Sequence, residues 1–359
     1  MMEIGPYRVF GIHSDKVVTP KRVILDTNVA IDIEKFFFGT GKVDRDALRQ
    51  LLHQFPLAVH RSQTVDVVYG FAVNESSWTR TGKHDPRRAQ SLAVACDRMF
   101  SWTAAEIDRA FANRHPPVNR DKAWPRQSSV VGKPLLTDHP LRAVLVSYAT
   151  VLHICHLDRT RAKWKHRGMP WAIERLTSWA ENEFGALGSY EIAAAVRLFC
   201  GNSDEIRACR RVLKIGGNET PDAIADKAWN AAWDFVHVRL TDGLGLGLAD
   251  RQTPPLPTCL VTRDIDPANI RLSTRTGIII DGGGSDQMVG VLADYVPSKS
   301  SEKQRVASSL KMDPMTAYRR AQRDPMAVFD QAITELERLE SEMGVTCSTV
   351  AGFRASQRR

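Results

Sequence analysis

Two short apolar runs in this chain lead into a carboxylate: Val23-Ile-Leu-Asp26 and Cys259-Leu-Val-Thr-Arg-Asp264. Both read as buried strands, with β-branched members and no polar face. In parallel α/β sheets, sites form beyond the carboxyl ends of strands. Neighbouring strands would therefore bring Asp26 and Asp264 to one sheet edge. Carboxylates at close range resist ionising together. A hard divalent cation relieves that repulsion, and Mg2+ or Mn2+ prefers such oxygen ligands. The cation can then activate water and stabilise charge on a phosphodiester in transit. Plainer roles exist for each residue. Asp26-Thr27-Asn28 is also a helix N-cap signature. Asn28 either caps or orients Asp26, Thr262 either bonds a metal ligand or fills the strand, and Asp266 is either a loop acid or an extra ligand.

The elements around these acids follow from pattern. After the first strand, Val29 to Phe38 carries apolar positions 29, 30, 33, 36 and 37 and suits a helix, stopped by Gly39-Thr40-Gly41. A helix over 44–54, a short strand over 57–60 and a helix from Ser62 to about Ser77 complete a β-α-β-α rhythm. That rhythm predicts a parallel sheet. Two acids on the last helix, Asp66 and Glu75, lie nine residues apart and so on nearly opposite faces. Only one can face a shared site, and the neighbours of Glu75 favour it. Residues 1–20 read as irregular or as a short edge strand.

From about 86 to 216 the pattern is helical without a convincing strand: 86–112, 138–166, 170–184, 189–201 and 203–214. Residues 115–137 carry four prolines and read as a loop. Thr220-Pro221 starts a helix to about Leu240. Within it Asp234 sits among Trp229, Ala232, Trp233 and Val236, where a buried charge needs a partner. Gly277 to Asp281 reads as a further strand, 297–309 as a flexible linker, and Asp324 to Met343 as an amphipathic helix. The fold expected is α/β: a mostly parallel central sheet with a large inserted helical lobe and a C-terminal helix. Its boundaries are an irregular segment at 1–20, a core at 21–85 and 218–296, the lobe at 86–217, and a linker and C-terminal helix at 297–359.

Ile24-Leu-Asp-Thr-Asn-Val-Ala-Ile-Asp32 resembles the opening motif of PIN domains, and Leu260-Val-Thr-Arg-Asp264 resembles their closing threonine-x-aspartate motif. Val73-Asn-Glu-Ser76 and Ala231-Ala-Trp-Asp-Phe-Val-His-Val238 resemble the helices bearing the second and third acids. The resemblance covers under half of the chain. It implies a three-layer PIN-like core and a metal-dependent nuclease with Mg2+ or Mn2+ held by Asp26, Glu75, Asp234 and Asp264; from the residues themselves, Asp266 is a candidate further ligand, and Asn28 and Thr262 are candidate supports. RNA is the implied substrate before DNA. A toxin role restrained by an antitoxin is a family-level expectation. The alternatives are a catalytically inactive PIN-like module that binds nucleic acid or protein, and a phosphatase or phosphotransferase that uses a strand-end Asp to form a phospho-enzyme.

Composition sets the outer limits. The chain has 359 residues, 43% hydrophobic and 25% charged, with 49 basic against 41 acidic side chains and a net charge of +8. That balance raises the weight of a polyanionic partner. Basic clusters with an aromatic member, Arg80 with Lys83 and Arg161-Ala-Lys163-Trp164-Lys165, are candidates for holding nucleic acid; solvated helix faces are the plainer alternative. No apolar run spans a membrane and no leader is evident at Met1–Val9, so a cytoplasmic protein is expected. Six cysteines without a C-x-x-C pair read as reduced, mostly packed thiols. His153 and His156 share a helical face but sit among apolar neighbours, which favours ordinary packing. The helix from Asp324 either pairs with a partner or second copy, or packs on its own domain.

Overall fold

In the computed structural model, residues 2–11, 20–55, 65–113, 139–186, 188–217, 219–245, 256–265, 300–310 and 323–357 are described. Strand β3 (Arg22–Leu25) is buried at all four residues, as a run lacking a polar face requires. It lies between β5 (Thr258–Thr262) and β4 (Asp66–Val68) and is parallel to both. On the far side of β5, strand β2 (Tyr7–Gly11) pairs antiparallel, and β1 (Met2–Ile4) pairs antiparallel with β2. The order is β1-β2-β5-β3-β4.

The sheet is thus mixed, not mostly parallel, and the N-terminal segment, expected to be irregular or a short edge strand, supplies two strands, one of them at the edge. The cause is a two-residue turn, Gly5-Pro6. Gly5 holds φ +56, and a Cβ there would stand 2.5 Å from that of Ala47, so only glycine fits. The hairpin then places Val9 opposite Val261.

Helices pack against this sheet. The first is α1 (Thr27–Phe38), which ends at Gly39 in the left-handed region. It is followed by α2 (Arg45–Gln54), α3 (Gly70–Ser77), α4 (Pro86–Phe100) and α5 (Ala104–Ala112). Val29 and Ile33 of α1, Leu48 and Leu51 of α2, Val73 of α3, and Leu92 and Met99 of α4 share one hydrophobic core with Val23, Leu25 and Val261.

The chain divides into two compact units. A sheet unit comprises Met1–Thr79, Lys83–Pro134 and Arg239–Ile265; a helical unit comprises Arg80–Gly82, Leu135–Val238 and Asp266–Arg359. This corrects the expected boundaries. Residues 86–112 belong with the sheet because α4 fills the core above α1 and α3, and most of the helix after Pro221 belongs with the helical unit.

The helical unit holds α6 (His139–Arg159), α7 (Arg161–Trp164), α8 (Pro170–Trp179), α9 (Ser189–Cys200) and α10 (Ser203–Val212). The helix α11 (Pro221–Gly245) starts in this unit, and α12 (Ser300–Leu310), α13 (Pro325–Met343) and α14 (Thr349–Gln357) complete it. The expected helices over 170–184, 189–201, 203–214 and 324–343 are all present. Where a linker was expected, α12 stands instead, with Val306 and Leu310 buried; its polar composition reflects an exposed outer face. The expected strands over 57–60 and 277–281 lie outside the described residues, as does the proline-rich segment 115–137. No described helix is long and apolar enough to cross a membrane.

Candidate metal centre

Asp26 is the first residue beyond β3. Its N–H donates to the Val261 carbonyl at 2.9 Å, carrying the ladder one step past the strand. Its side chain caps α1, with Oδ1 accepting from the Thr27 N–H at 2.7 Å. The other oxygen, Oδ2, accepts from the Thr262 hydroxyl at the end of β5. The helix cap and the bond to the β5 threonine therefore share one carboxylate, which is 3% exposed. Each carboxylate oxygen has two lone pairs and can accept from more than one partner.

The closing motif is built around the same threonine. Thr262 Oγ1 also accepts from the Asp264 N–H at 2.9 Å, which turns the chain at the strand end. Asp264 Oδ2 then accepts from Asn28 Nδ2 at 2.8 Å. Asn28 thus orients Asp264, not Asp26, and Thr262 does more than fill the strand. The parallel register of Leu25 with Val261 is what brings residues 236 positions apart into hydrogen bonds.

Glu75 arrives on α3, which begins two residues after β4, the third parallel strand. Its Oε2 accepts from the Thr27 hydroxyl. Asp26 and Glu75 each offer an oxygen within 4.8 Å of the other. Glu75 is half-buried and Asp264 exposed. Hard oxygen donors at this spacing can hold a metal ion.

Asp66 is on β4, not on the helix of Glu75. It pairs with Arg22 across β3 and β4, and Arg22 Nε stands 2.7 Å from Asp66 Oδ2. Both residues open their strands, so Asp66 lies at the amino edge, away from Asp26. Val65, Val68, Tyr69 and Ala72 repeat at the helical spacing, but the first part of that run is strand β4 and the helix starts only at Gly70. Asp32, within the opening motif, is buried and occupied by the Tyr7 hydroxyl at 3.1 Å and Arg263 Nη1 at 3.0 Å. It ties β2, α1 and the closing motif together.

Asp234 belongs to the helical unit. Lys214 Nζ stands 2.8 Å from its Oδ2, and Lys214 has a backbone φ of +52, unusual for a side-chain-bearing residue. One turn on, His237 is buried and its imidazole is pushed down to about 4, chiefly by burial, with Lys214 adding to the shift and Asp234 opposing it. Sequence reasoning singled out the motif but not this histidine. Asp266 lies outside the described residues.

Two members of the nucleic-acid candidates are corrected. Arg80 is buried and spends its guanidinium on Asp226 at 2.8 Å, the Cys347 carbonyl at 2.6 Å, Thr349, Asp222 and Glu340. Trp164 is buried with its Nε1 donating to the Leu157 carbonyl at 2.9 Å, and it packs on Trp171 and Phe199. Neither can meet a ligand. Lys83, Lys163 and Lys165 are exposed, and Arg161 is half-buried. His153 is packed against Trp179 with ring centroids 4.3 Å apart, and burial pushes it down to about 3, as the apolar surroundings of this residue predict. Cys96, Cys155, Cys200, Cys209 and Cys259 are buried free thiols.

Comparison with protein-family models, with curated proteins and with solved structures gave no match.

Proposed function

We propose that this chain is a metal-dependent nuclease of PIN-like architecture that hydrolyses phosphodiester bonds, in RNA before DNA. The observation that carries the reading is the meeting of Asp26 and Glu75 within 4.8 Å at the carboxyl edge of parallel strands, laced to Asp264 through Thr262 and Asn28. A divalent cation bound there, Mg2+ or Mn2+, would supply a Lewis acid and an activated water. The chain's part is to hold the acceptors still. Thr27 fixes Glu75, Thr262 fixes Asp26, and Asn28 fixes Asp264, so three carboxylates are pre-oriented by short neutral side chains that add no charge. Exposed Asp264 stands where a phosphodiester would approach.

The test is cleavage of labelled single-stranded RNA and DNA with added Mn2+. Asp26→Asn keeps an oxygen for the Thr27 N–H but loses the charge. It is expected to lower cleavage by at least about 100-fold and, because Nδ2 replaces the acceptor of the Thr262 hydroxyl, to cost about 1–3 kcal/mol of unfolding free energy. Cleavage that persists in this variant, or that ignores chelation, defeats the nuclease reading. Mn2+ binding by calorimetry without cleavage of either polymer favours the inactive binding module instead.

A further inference from the structure

We propose that the segment from Arg159 to Arg167 in the helical unit, which closes α6, forms α7 and ends in a 3-10 turn, is a phosphate-binding surface for nucleic acid. Five cations alternate along it: Arg159, Arg161, Lys163, Lys165 and Arg167. All but Arg161 are exposed, and His166 is exposed beside them. The nearby carboxylate does not neutralise them. Asp158 is taken by Arg210, whose Nη2 reaches its two oxygens at 2.8 and 2.9 Å, with Arg161 4.0 Å away. Among the described residues none of Arg159, Lys163, Lys165 and Arg167 has a carboxylate partner.

So many like charges within nine residues are costly to hold together, and the segment that carries them is packed in place. Trp164 anchors the middle of the segment through its bond to Leu157 and its packing on Trp171 and Phe199. Arg167 lies over the Trp171 ring at 5.3 Å from the centroid, which fixes that cation from below. A polyanion relieves the repulsion and gains the entropy of released counterions. A bilayer is the poorer fit. Firm interfacial binding adds inserted apolar side chains to charge attraction, and among the described residues the exposed large apolar side chains are Met2, Ile265 and Met326, none of them between Arg159 and Arg167. The phosphodiester backbone, read without regard to base sequence, matches what the segment offers.

This names the substrate class of the proposed nuclease and rests on that reading for its consequence. Binding in EDTA, however, is read apart from cleavage, so either can fail alone. The probe is a labelled single-stranded RNA followed by fluorescence anisotropy across a salt series. Changing Lys163, Lys165 and Arg167 together to Ala is expected to weaken binding at least tenfold near 0.1 M salt. It is also expected to make the plot of log affinity against log salt shallower by about 2, at about 0.7 per lost contact. Lys163→Gln with Lys165→Gln, leaving Arg167 on Trp171, gives a change of about 1.4 in the same plot and serves if the triple variant unfolds. A control changing Lys42, Arg98 and Arg109 to Ala removes equal charge from exposed positions of the sheet unit. Unchanged affinity in the Lys163 variants overturns the proposal. So does equal weakening in the control, which would mark a global charge effect. Preferential binding of phosphatidylserine vesicles over RNA overturns it too.

Discussion

Thr262 is the residue on which the proposed pocket turns, because one hydroxyl donates to Asp26 and accepts from the Asp264 N–H. Thr262→Val keeps the strand filled but leaves both partners short. Such a loss is expected to cost about 1–3 kcal/mol in denaturant unfolding and about 10–100-fold in Mn2+ affinity by calorimetry. Thr262→Ser is expected to restore most of the affinity. No restoration would assign the threonine to packing alone. His153 carries a pH prediction. Its folded-state value of about 3 lies below the ordinary 6.5, chiefly through burial, so the unfolded chain binds the proton first. Stability from this residue is therefore complete above about pH 6.5 and is lost as pH falls toward 3, at up to about 1.4 kcal/mol per pH unit. His153→Leu is expected to flatten urea-derived stability between pH 6 and 4 by that amount; an unchanged slope refutes it. Lys214 pairs with Asp234 from a left-handed backbone position. Its replacement by Met is expected to destabilise by about 1.5–3 kcal/mol, the range for bonds to charged groups, and a neutral result would show that the pair is dispensable.

Elements made some of this legible and hid the rest. The two buried strands that end in acids were readable because a continuous apolar run has few other uses, and their parallel pairing followed from helices between them. The strand β4 was not. Three residues are too few to show a period, and its Asp66 became a helical candidate. The hairpin β1–β2 rests on one turn and three residue pairs, signals that composition does not separate from a coil. A contrast between two acids tests this assignment. Asp66→Asn breaks a pair with a half-exposed carboxylate, worth under about 1 kcal/mol, and leaves Mn2+ affinity unchanged. Glu75→Gln is expected to lower Mn2+ affinity at least about tenfold. The reverse ranking in calorimetry would return Asp66 to the site. The candidate basic clusters failed at Arg80 and Trp164 for one reason: a string of charges does not reveal which members fold inward onto buried carboxylates and carbonyls.

Across the whole molecule, neither unit is one stretch of chain. Each is assembled from three segments, so sequence position is a poor guide to membership, and the expected division at residues 86 and 217 missed both crossings. In the helical unit, α13 and α14 bury Leu336, Leu339 and Phe353 completely, and Glu340 accepts from Tyr148 on α6 at 2.9 Å. A chain stopped after Ile265 loses these. It is expected to lose the cooperative unfolding transition of the helical unit in calorimetry and to bind a hydrophobic dye; a retained transition would contradict this account of its core. The sheet has its own dependence on distant chain, since β5 fills the gap between β2 and β3 yet follows them by more than two hundred residues. During synthesis, the ribosome must release more than two hundred further residues after Asp26 before Thr262 and Asp264 can join it. Until then β2 and β3 have open flanks, a state prone to sticking to other chains. If the pocket cuts RNA, the same delay keeps a growing copy harmless to the message that encodes it.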